Sequence, residues 1–198
     1  SRHNKLLVQQ VREMAEWIGF ETRNKYRIMD ENQNPIAFAA EQQKGILGFL
    51  FRQFLGHWRP FEIHFYDTLH RELFVAKHPF RFLFQRLEVY DLGGNPIGAI
   101  QQRFAIFSKR FDVQDEQGNT TLEVSSPLWR IWTFTFRRQG QDVACIRKKW
   151  SGIFSEWLTD RDNFLIELGD PRLYARDRQL VLAAAVFVDL QYFEVKAR

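Results

Sequence analysis

A closed, mainly β barrel of about twelve antiparallel strands around a buried hydrophobic C-terminal helix is the architecture this sequence predicts. Three observations predict it. Short segments of alternating apolar and polar residues recur along most of the chain, separated by turn-rich stretches. Aromatic residues make up 16% of the chain, with 20 Phe, 6 Trp and 5 Tyr; these residues favour strands and carry large buried area. Near the C terminus, Leu180 to Val188 is an unbroken apolar run around three alanines, and a helix that is apolar all round is buried in a core or a membrane. A chain of 198 residues suits one domain over 1–198, large enough to bury roughly 70% of its unfolded surface without staples.

The chain opens on a helical period. Leu7, Val11, Met14 and Ile18 recur at three and four residues, with Gln10, Arg12, Glu13 and Glu16 between them. Leu6, Leu7 and Val8 are contiguous, so a short strand is the alternative. Strands then follow in series. Residues 25–29 and 36–40 flank the turn-rich stretch from Asp30 to Pro35 and read as a hairpin. Residues 61–67 alternate, 73–77 follow a polar turn, and 81–90 alternate again up to the DLGGNP turn at 91–96. Residues 97–101, 103–107 and 111–114 continue the meander. Gln117-Gly-Asn119 turns into 121–124, residues 128–136 carry bulky groups at every second position, and Gln139 to Asp142 turns into 143–146. A last short strand covers 164–168.

Two segments interrupt this pattern. Ile46 to Trp58 is apolar on most sides and lies where a connection between hairpins belongs. It reads as a core helix or as a contact for homo-oligomer formation, with an interfacial membrane anchor as the sharper alternative. The second is the C-terminal stretch, with Pro171 in a first helical turn. About 22 residues at 1.5 Å each span roughly 33 Å, but Asp189 ends the apolar run, and a charge at bilayer depth costs at least about 2.5 kcal/mol. Burial in protein is the better solution. A twelve-stranded barrel has a lumen wider than its own side chains fill, and a helix with Leu180, Ala184, Phe187 and Leu190 on its faces can occupy it.

Composition excludes several classes. With 45% hydrophobic and 26% charged residues, the chain is not disordered. The nine-residue apolar run falls short of the ~20 residues of a membrane span, and Leu6 to Val8 is too short for a secretory signal core. Cys145 is the single cysteine, so no intramolecular disulfide forms, which suits a reducing, cytoplasmic setting. The net charge of +4 attracts phosphate-rich partners, whether nucleic acid or anionic lipid, and chooses neither. His64, His70 and His78 lack zinc-ligand spacing. No glycine-rich phosphate loop, serine elbow or known nucleic-acid motif is present. The basic clusters are Lys109-Arg110, Arg137-Arg138 and Arg147-Lys148-Lys149, the last followed by Trp150. Basic residues beside Trp suit a membrane surface, a nucleic-acid backbone, or a solvated barrel exterior.

Several blocks carry a family resemblance. GFETRNKYRI at 19–28 resembles the GFETNNKYEI opening of the phospholipid scramblase family. FAAE at 38–41, RPF at 59–61, PIG at 96–98 and KWSGI at 149–153 match further family blocks in order, and FVDLQYFE at 187–194 resembles the terminal FLIDFMFFE. The resemblance runs from about Leu6 to Glu194 and extends to tubby-like and LURP-one-related proteins. It implies a twelve-stranded barrel around a hydrophobic C-terminal helix and calcium-dependent, ATP-independent movement of phospholipid between leaflets. The protein is then peripheral or membrane-associated.

The resemblance also implies a calcium loop before the last helix, DRDNFLIELGDP at 160–171. Asp160 and Asp162 match its first and third positions, and Phe164 and Ile166 its fifth and seventh, where backbone carbonyls would serve. The family's last position is Asp; here it is Pro171, with Asp170 one residue early. No bidentate Glu closes the loop and its sixth position is not Gly, so Ca2+ affinity is expected to be weak, on the order of 0.1–1 mM. The same residues also read as a turn feeding a strand. The family's cysteine-rich lipidation stretch is absent, and the segment from Ile46 to Trp58 stands in its place. Phospholipid contact is expected through Trp58, Arg147, Lys148, Lys149 and Trp150. A soluble interaction or nucleic-acid-binding module without scrambling activity is the alternative.

Overall fold

Hydrogen bonding along the chain closes into a ring. A computed structural model describes residues 3–11, 22–42, 60–127, 129, 133–148, 163–171 and 173–193. Its strands are β1 (Lys5–Val11), β2 (Thr22–Met29), β3 (Pro35–Gln42), β4 (Phe61–Asp67), β5 (Glu72–His78), β6 (Arg86–Tyr90), β7 (Pro96–Arg103), β8 (Ser108–Gln114), β9 (Thr120–Pro127), β10 (Thr133–Arg138), β11 (Gln141–Lys148) and β12 (Asn163–Glu167). Each pairs antiparallel with its chain neighbours, and β1 pairs with β12, so the twelve strands form a closed barrel in sequence order. Closure leaves no exposed sheet edge.

Period-two alternation decides which side chains enter the lumen. Leu6 and Val8 of β1, Phe61, Ile63 and Phe65 of β4, Phe111 and Val113 of β8, Phe134 and Phe136 of β10, and Phe164 and Ile166 of β12 are all buried. The space they surround is filled by α1 (Ala175–Val188), which continues as a π-helical turn over Asp189–Phe193. Leu180, Ala184, Phe187 and Leu190 are buried, as expected for a core helix, and so are Ala183 and Ala185. Small residues let the wall approach. A Cβ at Gly98 of β7 would lie 2.3 Å from the Gln114 carbonyl oxygen and 3.0 Å from a Leu180 methyl carbon, so the glycine of the PIG block is where the sheet meets the plug. Among the described residues no helix is long and apolar enough to cross a membrane.

The strand number agrees with expectation, but two errors cancel. The start of the chain is strand β1 and not a helix over 7–11; Met14 and Ile18 lie outside the described residues. The reason is long-range: β12 and β2 each offer an edge to β1, and no local window contains that information. In turn, 103–107 is not a separate strand. β7 runs on to Arg103, and 104–107 is the connection to β8. The strand expected over 81–90 shortens to Arg86–Tyr90. The C-terminal helix starts at Ala175, past Pro171.

Four connections at one end repeat a single device. β2–β3, β4–β5, β6–β7 and β8–β9 each turn through five residues headed by Asp30, Asp67, Asp91 or Asp115. The carboxylate accepts the backbone N–H four residues on, at 2.8, 2.9, 2.7 and 2.8 Å. The fourth residue takes φ of 67° at Gln33, 59° at His70, 78° at Gly94 and 86° at Gly118, as a type I turn followed by a bulge requires.

These hydrogen bonds hold all four carboxyls below the usual carboxylate range. At Asp30 and Asp67 the main cause is the backbone N–H of Asn34 and Arg71, and at Asp91 it is the Asn95 side chain. At Asp115 partial desolvation pushes upward, and the Asn119 side chain and backbone outweigh it. Because the folded values are depressed, the stability they contribute is complete above the unfolded value of about 3.9 and is lost as pH falls through the folded values. Urea midpoints are therefore expected to hold steady above about pH 5 and to fall below about pH 4. Replacing all four aspartates with Asn is expected to flatten that fall, and an unchanged acid limb would refute the assignment.

Candidate functional site

The expected calcium loop is crossed by a strand. Phe164 and Ile166 point into the lumen from β12. β12 is paired on both sides, Phe164 with Val8 and Lys148, and Ile166 with Leu6 and Ile146. In such a strand the carbonyls accept ladder hydrogen bonds. Asn163 heads β12 at one end of the barrel, and Glu167 lies about 13 Å further along. Asp170 lies beyond it, donating its backbone N–H to the Val143 carbonyl at 3.1 Å. Two ligands of one calcium ion lie within about 5 Å of each other. Extended backbone of β12 separates Asp170 from Asn163. Asp160 and Asp162 lie outside the described residues.

The basic cluster divides. Trp58, Lys149 and Trp150 lie outside the described residues, as does the segment from Ile46 to Trp58. Arg147 is exposed on the barrel exterior in an open groove of about 1000 Å3, which also takes in Thr135, Cys145 and Glu167. Its guanidinium lies 3.2 Å from a Glu167 oxygen. The Cys145 side chain, and after it the Glu167 charge, hold Arg147 protonated more firmly than usual against partial desolvation. Lys148 corrects the expectation of a headgroup contact. Its side chain is only 8% exposed, and its Nζ lies 3.3 Å from Asp189 Oδ1. Alternation explains it, since neighbouring residues of β11 face opposite sides.

Asp189 is the far anchor of the plug. Besides Lys148, the Tyr26 hydroxyl donates to its Oδ2 at 2.9 Å. At the other end, Asp177 accepts from Arg138 Nη2 at 2.7 Å and from the Tyr174 backbone N–H at 3.0 Å. Each ion pair ties the helix to the strand pair β10–β11, which sets its axial position. A third polar contact in the barrel is His78, whose Nε2 lies 2.7 Å from Gln85 Oε1 and whose ring stacks on Phe61. The sequence reading missed the Lys148–Asp189–Tyr26 set. One signal for it is present in the sequence: an acidic residue ending an otherwise apolar helix needs a buried partner.

Acidic residues gather in the Asp-headed turns, where Arg176 pairs with Glu116. The Asp-headed turns hold Asp30, Glu31, Asp67, Asp91, Asp115 and Glu116 against one basic residue, Arg71. Two connections at the opposite end, 79–85 and 104–107, have Arg81, Lys109 and Arg110 in or beside them, together with Arg86, paired with Glu88, and Arg103, paired with Asp112. Arg147 and Lys148 end β11 at that same basic end.

A family model described as Scramblase matches residues 1–195. Phospholipid scramblase 2 of Bos taurus is 30% identical over 204 residues, covering 96% of this chain and 68% of that protein. Phospholipid scramblase 1 of Homo sapiens is 28% identical over 209 residues, covering 98% of this chain and 64% of that protein. The chain thus spans about two thirds of the length of these relatives. Among solved structures, an X-ray structure of a protein from Arabidopsis thaliana superposes with a TM-score of 0.53 at 11% identity, covering 93% of this chain and 90% of that chain. That likeness concerns the fold alone, a barrel closed around one helix. The match along residues 1–195 takes in every strand of the barrel and nearly all of the plug, and the chain therefore belongs to the Scramblase family.

Proposed function

We propose that this protein acts on phospholipid at a membrane surface and supports calcium-dependent, ATP-independent movement of phospholipid between leaflets. The observation that carries the reading is the Scramblase match along residues 1–195. No covalent bond is made or broken in such a movement, so no catalytic set is required. The lumen is occupied by α1, whose residues from Leu180 to Val188 are buried apart from the partly buried Leu182. With the plug seated, phospholipid has no room inside the barrel, and the working contacts are external.

In this reading Arg147, with Lys149 and Trp150 after it in the chain, contacts anionic headgroups, and Trp58 contributes an interfacial ring. Calcium is held weakly through Asp160 and Asp162, which precede β12 in the chain. The test is a dye-reduction assay in liposomes reconstituted with the purified chain alone, with calcium titrated. Leaflet exchange is expected to accelerate with calcium, and Asp160→Ala with Asp162→Ala to remove the calcium dependence. No acceleration at any calcium concentration would sink the reading.

A further inference from the structure

We propose that the basic end of the barrel docks onto anionic membrane through two apolar loops, 79–85 and 104–107, which seat their side chains at the headgroup boundary. This rests on the membrane-surface reading above and names the surface. The loops join β5 to β6 and β7 to β8, so they are neighbours on one rim. Phe80, Phe82, Leu83 and Phe84 are exposed on the first loop. On the second, Phe104 and Phe107 are both 75% exposed, and Ile106 is exposed too. Trp129, just past β9, is 79% exposed on the same rim. Scattered exposed apolar residues are ordinary, but a contiguous group on adjacent loops marks an interaction surface.

Polarity in the first loop is inverted. Gln85 is buried at 8% exposure, while the apolar residues before it face out. It is held from every side. Its Oε1 meets His78, its Nε2 donates to the Arg81 carbonyl at 3.3 Å, and its backbone N–H donates to Gln102 Oε1 at 2.9 Å. Its carbonyl accepts from the Gln102 backbone N–H at 2.8 Å. Phe84 takes φ of 54°, the left-handed region that a bulky residue rarely adopts. Buried hydrogen bonds thus hold a strained turn that presents three phenyl rings to the outside. Hydrophobic collapse alone would have exposed Gln85 and buried the rings.

Charge selects the occupant. At this rim Arg86 is paired with Glu88 and Arg103 with Asp112, while Arg81, Lys109 and Arg110 add further positive charge, and the Asp-headed turns lie at the opposite end. An anionic surface therefore orients the barrel with this rim toward it. A nucleic acid would satisfy the cations but leave Leu83, Ile106 and the phenyl rings in water. An anionic bilayer takes both, since aromatic rings sit at headgroup level while basic residues meet the phosphates.

The test uses the full chain with vesicles of phosphatidylcholine alone or with about one third phosphatidylserine. Cosedimentation is expected with the anionic vesicles, weakened about tenfold or more by Phe82→Ser with Phe84→Ser, and likewise by Phe104→Ser with Phe107→Ser. These side chains are exposed, so thermal unfolding is expected to stay unchanged. In a Cys145→Ser background, an environment-sensitive dye on Phe107→Cys is expected to shift to the blue on anionic vesicles. The same dye on Leu92→Cys, at the acidic end, is expected not to shift. Undiminished binding by both double variants, or a blue shift at position 92 and not at 107, overturns the docking surface and leaves the function reading standing. DNA binding through these residues without vesicle uptake overturns it also, as does absence of anionic-vesicle binding by the unaltered chain. Intact docking with no leaflet exchange sinks the function reading and leaves the rim in place.

Discussion

Replacing Lys148 with Met is expected to destabilise the barrel by about 3–5 kcal/mol. The substitution removes the ammonium that lies 3.3 Å from Asp189 Oδ1 in the lumen. The two charged side chains are 8% and 2% exposed, so water does not replace the lost cation. The cost is the penalty of a buried carboxylate that has lost its cation and not the net worth of the pair, which desolvation largely offsets. The double change Lys148→Met with Asp189→Leu is therefore expected to recover most of the loss, because two apolar groups of similar size need no partner. Urea unfolding followed by far-ultraviolet circular dichroism measures both. A single variant as stable as the unaltered chain would show that Asp189 finds another cation or lies in water.

The second large effect is at the middle of the plug. Phe187→Ala is expected to cost about 3–5 kcal/mol, the usual range for a fully buried Phe. Phe187 is inaccessible to solvent and packs among rings of three different strands. Its centroid lies 6.4 Å from Phe61 of β4, 5.6 Å from His78 of β5 and 6.3 Å from Phe111 of β8. The void cannot collapse easily, because the wall is a hydrogen-bonded ring whose diameter is set by strand number. Poor collapse puts the cost in the upper part of the range. Phe187→Leu, which keeps most of the volume, is expected to lose less than half as much. Thermal unfolding of the two variants compares them directly; equal losses would mean that ring stacking, and not volume, dominates the site.

Much of this architecture was legible because it is periodic. Strands such as Phe61–Asp67 and Phe111–Gln114 announce themselves by alternation, and the Asp-headed turns by their composition. The plug was legible from a run of apolar residues too continuous for a surface helix and too short for a bilayer. The ordered family blocks were legible in the same way. Alternation fails where the chain leaves the sheet. Residues 81–85 and 104–107 carry strand-forming Phe, Leu and Ile, yet they are loops whose Phe, Leu and Ile side chains face outward. Local propensity describes how a residue fits a pleated surface, and it does not say whether a partner strand is present.

The site was less legible than the fold for a related reason. Arg147 and Lys148 are adjacent and chemically alike, but one lies outside the barrel and the other reaches Asp189 within it. The expected calcium loop carried plausible oxygen donors in sequence order, and β12 separates them along an extended backbone.

By itself, the sequence determined the alternation of most strands, the presence of a buried C-terminal helix and the resemblance to the Scramblase family. These depend on side-chain chemistry repeated at short range. Only the tertiary structure decided that β1 is a strand, that Lys148 faces Asp189, and that the basic residues and exposed rings of distant segments share one rim. Those outcomes depend on barrel closure, which joins residues far apart in the chain through hydrogen bonds that no local stretch of sequence encodes.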